Sequence, residues 1–305
     1  QSCARFGMLA LHGSLCSEAS AASLNPLAAK QPHFPAKAKR IIFLLMKGGP
    51  SQVDTFDPKP LLDRDHGKPP PFALPRVTFA KTGNLLRSPW KFRQYGQSGL
   101  PVSDLFPHVG QCADELCVIR SMHGTNPAHG GALLKLHTGS DTFVRPSMGA
   151  WVSYGLGTEN TDLPAFLTIC PTLAHGGVNN WGSAFLPAWC QGTPLGNASI
   201  SAEQALVRHI KNTRTPTPLQ RLQLDLASHL NHRHLEAAGT NAALEARIES
   251  FELAFRMQSS MPEIQGIEGE TEATRKLYGL DDPMTANFGR QCLMARRFAE
   301  RGVRF

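Results

Sequence analysis

The chain has 305 residues, 41% of them hydrophobic, and carries 31 Lys and Arg against 24 Asp and Glu, a formal charge of +7 with a pI near 9.2. That composition excludes a disordered chain, and the lack of any run of 18 or more apolar residues excludes a helical membrane span. The basic excess points to an anionic partner, but no Lys/Arg cluster is interleaved with aromatics, which argues against nucleic acid.

In chain order, residues 6–15 (FGMLALHGSL) are apolar and are followed by the small-residue run Ala19-Ser20-Ala21-Ala22. This is the pattern of an export signal whose charged start is trimmed away, so residues 1–22 are read as its remnant and the protein as periplasmic or extracellular. Residues 23–38, with Pro26, Pro32 and Pro35, read as a linker, and residues 39–305 as one α/β domain.

Residues 41–46 (IIFLLM) form an apolar run bounded by Gly48-Gly49-Pro50, which predicts a strand buried on both faces. Residues 58–107 are rich in proline and read as loops. A helix is expected over 106–114, a second strand over 116–119 (LCVI), and a polar loop over 120–131. A helix over 132–137, another capped by Ser147 and running to Tyr154, and a third strand over 164–169 complete the pattern. Strand and crossover helix repeating in this order predict a doubly wound, mostly parallel sheet. Beyond residue 200 helical spacing takes over, with apolar stripes at Leu222, Leu226 and Leu230 and at Leu244, Ile248, Phe251 and Phe255. His229, His232 and His234 do not share one helix face and are read as surface residues. A helix over 287–300, a glycine and then Val303-Arg304-Phe305 look like a helix entering a strand, so the chain reads as an amino-terminal fragment. Seven cysteines without a C-x-x-C pair exclude a zinc knuckle and are expected to be buried free thiols.

In open α/β sheets ligands bind beyond the carboxyl ends of the strands. The first strand delivers residues 48–57 (GGPSQVDTFD), in which Asp54 supplies a hard oxygen suited to Zn²⁺, Mg²⁺ or Ca²⁺ and also reads as ordinary turn chemistry beside Gly and Pro. The second delivers Arg120, Ser121, His123, Thr125, Asn126 and His129 just before a helix, whose amino terminus favours an anion. A hydroxyl there is a candidate nucleophile, Thr125 or Ser121, with His123 and His129 as proton carriers. On local evidence the leading reading of the same loop is a capped turn in which Thr125 or Asn126 serves helix N–H groups. A serine esterase built on Ser51 or Ser121 ranks last, because no G-x-S-x-G elbow is present.

The string over 39–60 (KRIIFLLMKGGPSQVDTFDPKP) closely resembles the opening of the bacterial family known as domain of unknown function 1501. So do residues 145–152 (RPSMGAWV), 180–187 (NWGSAFLP), 255–258 (FRMQ) and 292–297 (CLMARR). The family is similar in fold to alkaline phosphatases and sulfatases, and its members usually start with a twin-arginine export signal. The resemblance implies an exported metal-dependent hydrolase of sulfate or phosphate esters, acting on an anionic small molecule or polysaccharide. Asp54, with Gln52 and Ser51, would hold the metal, Thr125 would attack, and His123 or His129 would assist. Thr125 to His129 followed by Thr138-Gly139 resembles the sulfatase nucleophile segment, with Thr in place of Cys. Gln52 stands where many members have His, and the superfamily draws further Asp and His ligands from a carboxyl-terminal half, so this fragment is expected to be inactive. The alternative implied is a non-catalytic member that recognises extracellular glycans or assembles at the cell surface.

Overall fold

A computed structural model describes residues 27–46, 48–73, 81–205, 214–239 and 242–305. The expected signal remnant, residues 1–22, lies outside them. The chain divides into two units, residues 44–124 and residues 1–43 with 125–305. It is a mixed α/β protein with two small sheets and several helices.

The unit of residues 44–124 begins with two short helices, α1 (Gln52–Thr55) and α2 (Pro60–Arg64). An antiparallel hairpin follows, β1 (Phe92–Tyr95) and β2 (Leu100–Ser103), in the stretch expected to be loop. Its signal is Tyr95-Gly96-Gln97-Ser98-Gly99, in which both glycines adopt positive φ. The turn is held from outside: the Asp114 carboxylate accepts the Gln97 and Ser98 amides at 2.9 and 2.8 Å, and these bonds lower its pKa. The helix α3 (Pro107–Gly110) and a 3₁₀ turn (Ala113–Glu115) replace the single helix expected over 106–114. Phe56 and Phe106 stack at 5.6 Å, and Thr55, Val102 and Ser103 are buried beside them.

The larger unit holds α4 (His129–Thr138), α5 (Met148–Leu156), β3 (Leu167–Ile169), β4 (Thr193–Leu195), α6 (Thr217–Ala238), α7 (Ala242–Gln265), α8 (Glu272–Leu277) and α9 (Ala286–Glu300). The strands β3 and β4 pair in parallel, Leu167 opposite Thr193 and Ile169 opposite Leu195. The chain end lies on the other edge of β3. Phe305 donates its N–H to Ala165 O, and its carbonyl accepts from Leu167 N, the alternation of a parallel ladder. Ile41 N–H in turn donates to Arg304 O at 2.9 Å.

The core covers this small sheet. Met257, Met261 and Ile264 recur at i, i+4 and i+7 on α7, and Met294 and Phe298 at i and i+4 on α9, all buried against Leu167, Leu195 and Val303. Two expected stripes behave otherwise. Leu222, Leu226 and Leu230 of α6 are exposed, and in α7 the burial sits a turn beyond Phe251, which is also exposed.

Residues 41–46 correct the expectation of a buried strand. The segment forms no ladder beyond the Ile41 bond, and Ile41, Ile42, Phe43, Leu44 and Met46 are all exposed. Residues 116–119 likewise form no strand, and Leu116 and Ile119 are exposed. A run this apolar is buried on two faces only where helices and neighbouring strands cover both sides, and the Ile41 bond and the ring contact of Phe43 with His137 leave these side chains exposed.

Candidate functional site

Two of the family-like strings are structural neighbours. Ser147 N–H donates to Gly182 O at 3.0 Å, joining the string over 145–152 to the one over 180–187. Gly149 opens α5 without a side chain because a Cβ there would come within 2.6 Å of the Phe166 ring. Asn180, Trp181, Ser183 and Leu186 are buried against the same region. Ser147 precedes α5 in extended backbone but gives it no side-chain cap, and among the described residues its buried hydroxyl has no partner.

Around the start of α4 the structure builds a polar loop. Asn126 closes a turn just before the helix: its Oδ1 accepts Ala128 N–H at 2.9 Å, and its Nδ2 donates to Asp141 at 3.1 Å. That donation is the main reason the Asp141 carboxyl sits below its usual pKa. Gly131 is required by this arrangement, because a Cβ there would collide with the Asn126 amide nitrogen. Thr125 is exposed and does not cap. Its hydroxyl oxygen accepts a 2.7 Å hydrogen bond from the Lys135 ammonium. A cation donating to that oxygen favours the alkoxide over the neutral hydroxyl.

His129 is the first residue of α4, and its ring stands 5.6 Å from the ring of His175. His175 sits at φ 56°, a conformation side chains rarely adopt, followed by Gly176 and Gly177, also at positive φ. The buried Asn180 amide donates to the His175 carbonyl at 3.0 Å and pins the turn. Lys135 and His175 approach this loop from other elements, and sequence reading missed both. Lys135 is ten residues from Thr125 on a helix, and His175 belongs to a different loop. His123 and Ser121 are exposed in the same segment.

Ser51, Gln52 and Asp54 lie in the other unit, where Ser51 precedes α1 and Asp54 is within it. The Ser51 carbonyl accepts from Asp54 N–H at 3.1 Å and from the Thr55 hydroxyl at 2.9 Å. The second carboxylate of the same string, Asp57, is buried and pairs with Lys59 at 2.6 Å and Arg120 at 3.9 Å. Within this unit the turn after Met46 and the loop after Ile119 therefore meet through Asp57 and Arg120. A carboxylate neutralised by two cations is a poor metal ligand, so Asp54 is the acid left for that role. Among the described residues no three His, Cys, Asp or Glu side chains gather as a metal-binding group. One carboxylate, one amide and one hydroxyl do not make a divalent site by themselves.

No curated protein and no solved structure matches the chain. A family model described as a protein of unknown function, DUF1501, matches residues 38–305. That match covers most of the chain, from just before the apolar run of residues 41–46 to its last residue, and the protein belongs to the DUF1501 family.

Proposed function

We propose that this protein is an exported hydrolase of sulfate or phosphate esters on an alkaline phosphatase-type α/β fold. The parallel alignment of β4, β3 and residues 303–305 supports the fold, as the kernel of a doubly wound sheet. The single observation that carries the chemistry is the 2.7 Å hydrogen bond from Lys135 to the Thr125 hydroxyl oxygen. In this reading His129, which opens α4, or His123 takes the Thr125 hydroxyl proton as the Thr125 oxygen attacks the ester phosphorus or sulfur, and the same histidine returns that proton to the leaving alcohol as its bond breaks. Water then cleaves the threonine ester and regenerates the hydroxyl. Lys135 balances the negative charge that builds on the transferred group. A divalent metal (Zn, Ca or Mg) belongs to the superfamily reading, with Asp54, Gln52 and Ser51 as the donors this chain offers. Because those donors do not complete a site, no step is routed through the ion.

The test is hydrolysis of p-nitrophenyl sulfate and p-nitrophenyl phosphate by the purified full-length protein, with and without added divalent ions, beside Thr125→Ala. Turnover that Thr125→Ala removes supports the reading, and no turnover under any of these conditions overturns it. A second reading, glycan recognition without catalysis, is favoured by the exposed aromatic side chains Trp151, Tyr154 and Phe185.

A further inference from the structure

Four aromatic rings on the larger unit touch in series. Phe185 and Trp151 stand 5.8 Å apart, Trp151 and Tyr154 6.3 Å apart, and Tyr154 and Trp189 6.3 Å apart. Phe185, Trp151 and Tyr154 are 70%, 47% and 42% exposed. Trp151 and Tyr154 are three residues apart on α5, so one helix face presents both. Trp189 lies in a 3₁₀ turn, Ala188–Cys190, anchored by the buried Cys190. A single exposed aromatic is ordinary, but a contiguous exposed set marks a binding surface.

The series ends at a cleft of 130 Å³, which Trp189 lines together with Gln191, Thr193 and Arg256. That volume is well below the roughly 300 Å³ at which drug-sized pockets begin, so it suits one small ring and not a dinucleotide. The Lys30 ammonium lies 5.2 Å from the Tyr154 ring centroid and 5.7 Å from that of Trp189, donating to Tyr154 O at 2.9 Å. Among the described residues Lys30 forms no ion pair. A carboxylate or sulfate arriving there meets an unmatched cation.

We infer that this surface is a subsite for an acidic saccharide unit. The flat C–H face of a pyranose packs on the exposed rings, as other apolar faces do. Its sulfate or carboxylate meets Lys30, and its hydroxyls meet the amide, hydroxyl and guanidinium groups of the cleft. The mixed polar lining and small volume favour a sugar over the apolar anchor of a protein partner. The inference deepens the glycan reading and does not depend on ester hydrolysis.

The experiment is calorimetric titration of the protein with a sulfated carrageenan hexasaccharide and with its desulfated counterpart. The wild type is expected to prefer the sulfated form. Trp151→Ala and Trp189→Ala are each expected to bind about tenfold more weakly, the loss of one stacking surface, and Trp189→Phe to retain binding. Lys30→Gln is expected to erase the preference for sulfate, and Thr125→Ala to bind as the wild type does, which separates this site from the proposed chemistry. Circular dichroism of each variant checks that the fold is kept. Equal binding by the wild type and both alanine variants would show attraction by net charge alone and overturn the subsite. A wild type that binds neither oligosaccharide overturns it as well, and self-association lost in Trp151→Ala would assign the rings to a protein interface.

Discussion

The Lys135 ammonium reaches back across α4 to donate to the Thr125 hydroxyl oxygen at 2.7 Å. This pairing separates Thr125 from the neighbouring hydroxyls and gives the proposed nucleophile a fixed cation. Replacing Lys135 by Gln is expected to lower kcat for a sulfate or phosphate monoester by roughly 10²–10³-fold, with a smaller change in KM, as for the loss of one transition-state donor. Steady-state kinetics on the wild type and Lys135→Gln decide it. An equal effect on KM alone would assign Lys135 to binding.

Asn126 and Gly131 form one unit of structure. Asn126→Ala removes the acceptor for Ala128 N–H and the donor to Asp141 and is expected to cost about 1 kcal/mol, the usual net value of such a hydrogen bond. Gly131→Ala should cost about 1–3 kcal/mol in the wild type, because the Asn126 side chain must move away and give up both bonds. In an Asn126→Ala background the Gly131 substitution should cost much less, since the clashing amide is gone. Urea denaturation of the four proteins measures the difference.

Burial lowers the pKa of His137, which packs edge-on against Phe43 at 5.5 Å between ring centroids. The unfolded chain therefore takes up this proton more readily than the folded one. The contribution to stability is complete above the unfolded value of about 6.5 and falls as pH drops from there toward the folded-state pKa. His137→Phe should flatten that part of the stability profile. Urea midpoints between pH 5 and 8 for wild type and variant test the sign.

The described thiols should differ sharply in reactivity. Cys112 and Cys117 are exposed, which corrects the expectation that they are buried, whereas Cys190 is buried and its pKa is pushed up to about 12 by desolvation. Because the thiolate is the reactive form, Ellman's reagent at pH 8 should label Cys112 and Cys117 in the folded protein and Cys190 only after denaturation. Peptide mapping of the labelled protein reads this directly.

Phe298 is buried in the core between α9, α7 and β3, so Phe298→Ala should cost about 3–5 kcal/mol. Leu222→Ala on α6, where the side chain is 65% exposed, should cost far less. Denaturant midpoints compare the two.

Much of this protein is determined by local sequence. The helix ending at Thr138-Gly139 and those over 148–156, 217–238, 242–265 and 286–300 follow from 3.6-residue spacing and end signals, which act within a few residues. The strand at 167–169 and the family strings were legible in the same way. What tertiary structure decided depends on partners distant in the chain. Residues 41–46 have the composition of a central strand, yet burial on two faces requires neighbours that local sequence does not specify. The stripe of α7 moved toward Met257, Met261 and Ile264 because β3 and α9 cover that end. The turn at 96–99 folds as a hairpin because Asp114 accepts its amides from outside. Thr125 was readable as a hydroxyl before a helix, but its cation, Lys135, and the approach of His175 to His129 are products of folding. Hydrogen bonds and ring contacts act over a few ångströms in space, and spacing along the chain reports such distances only within one helix or strand.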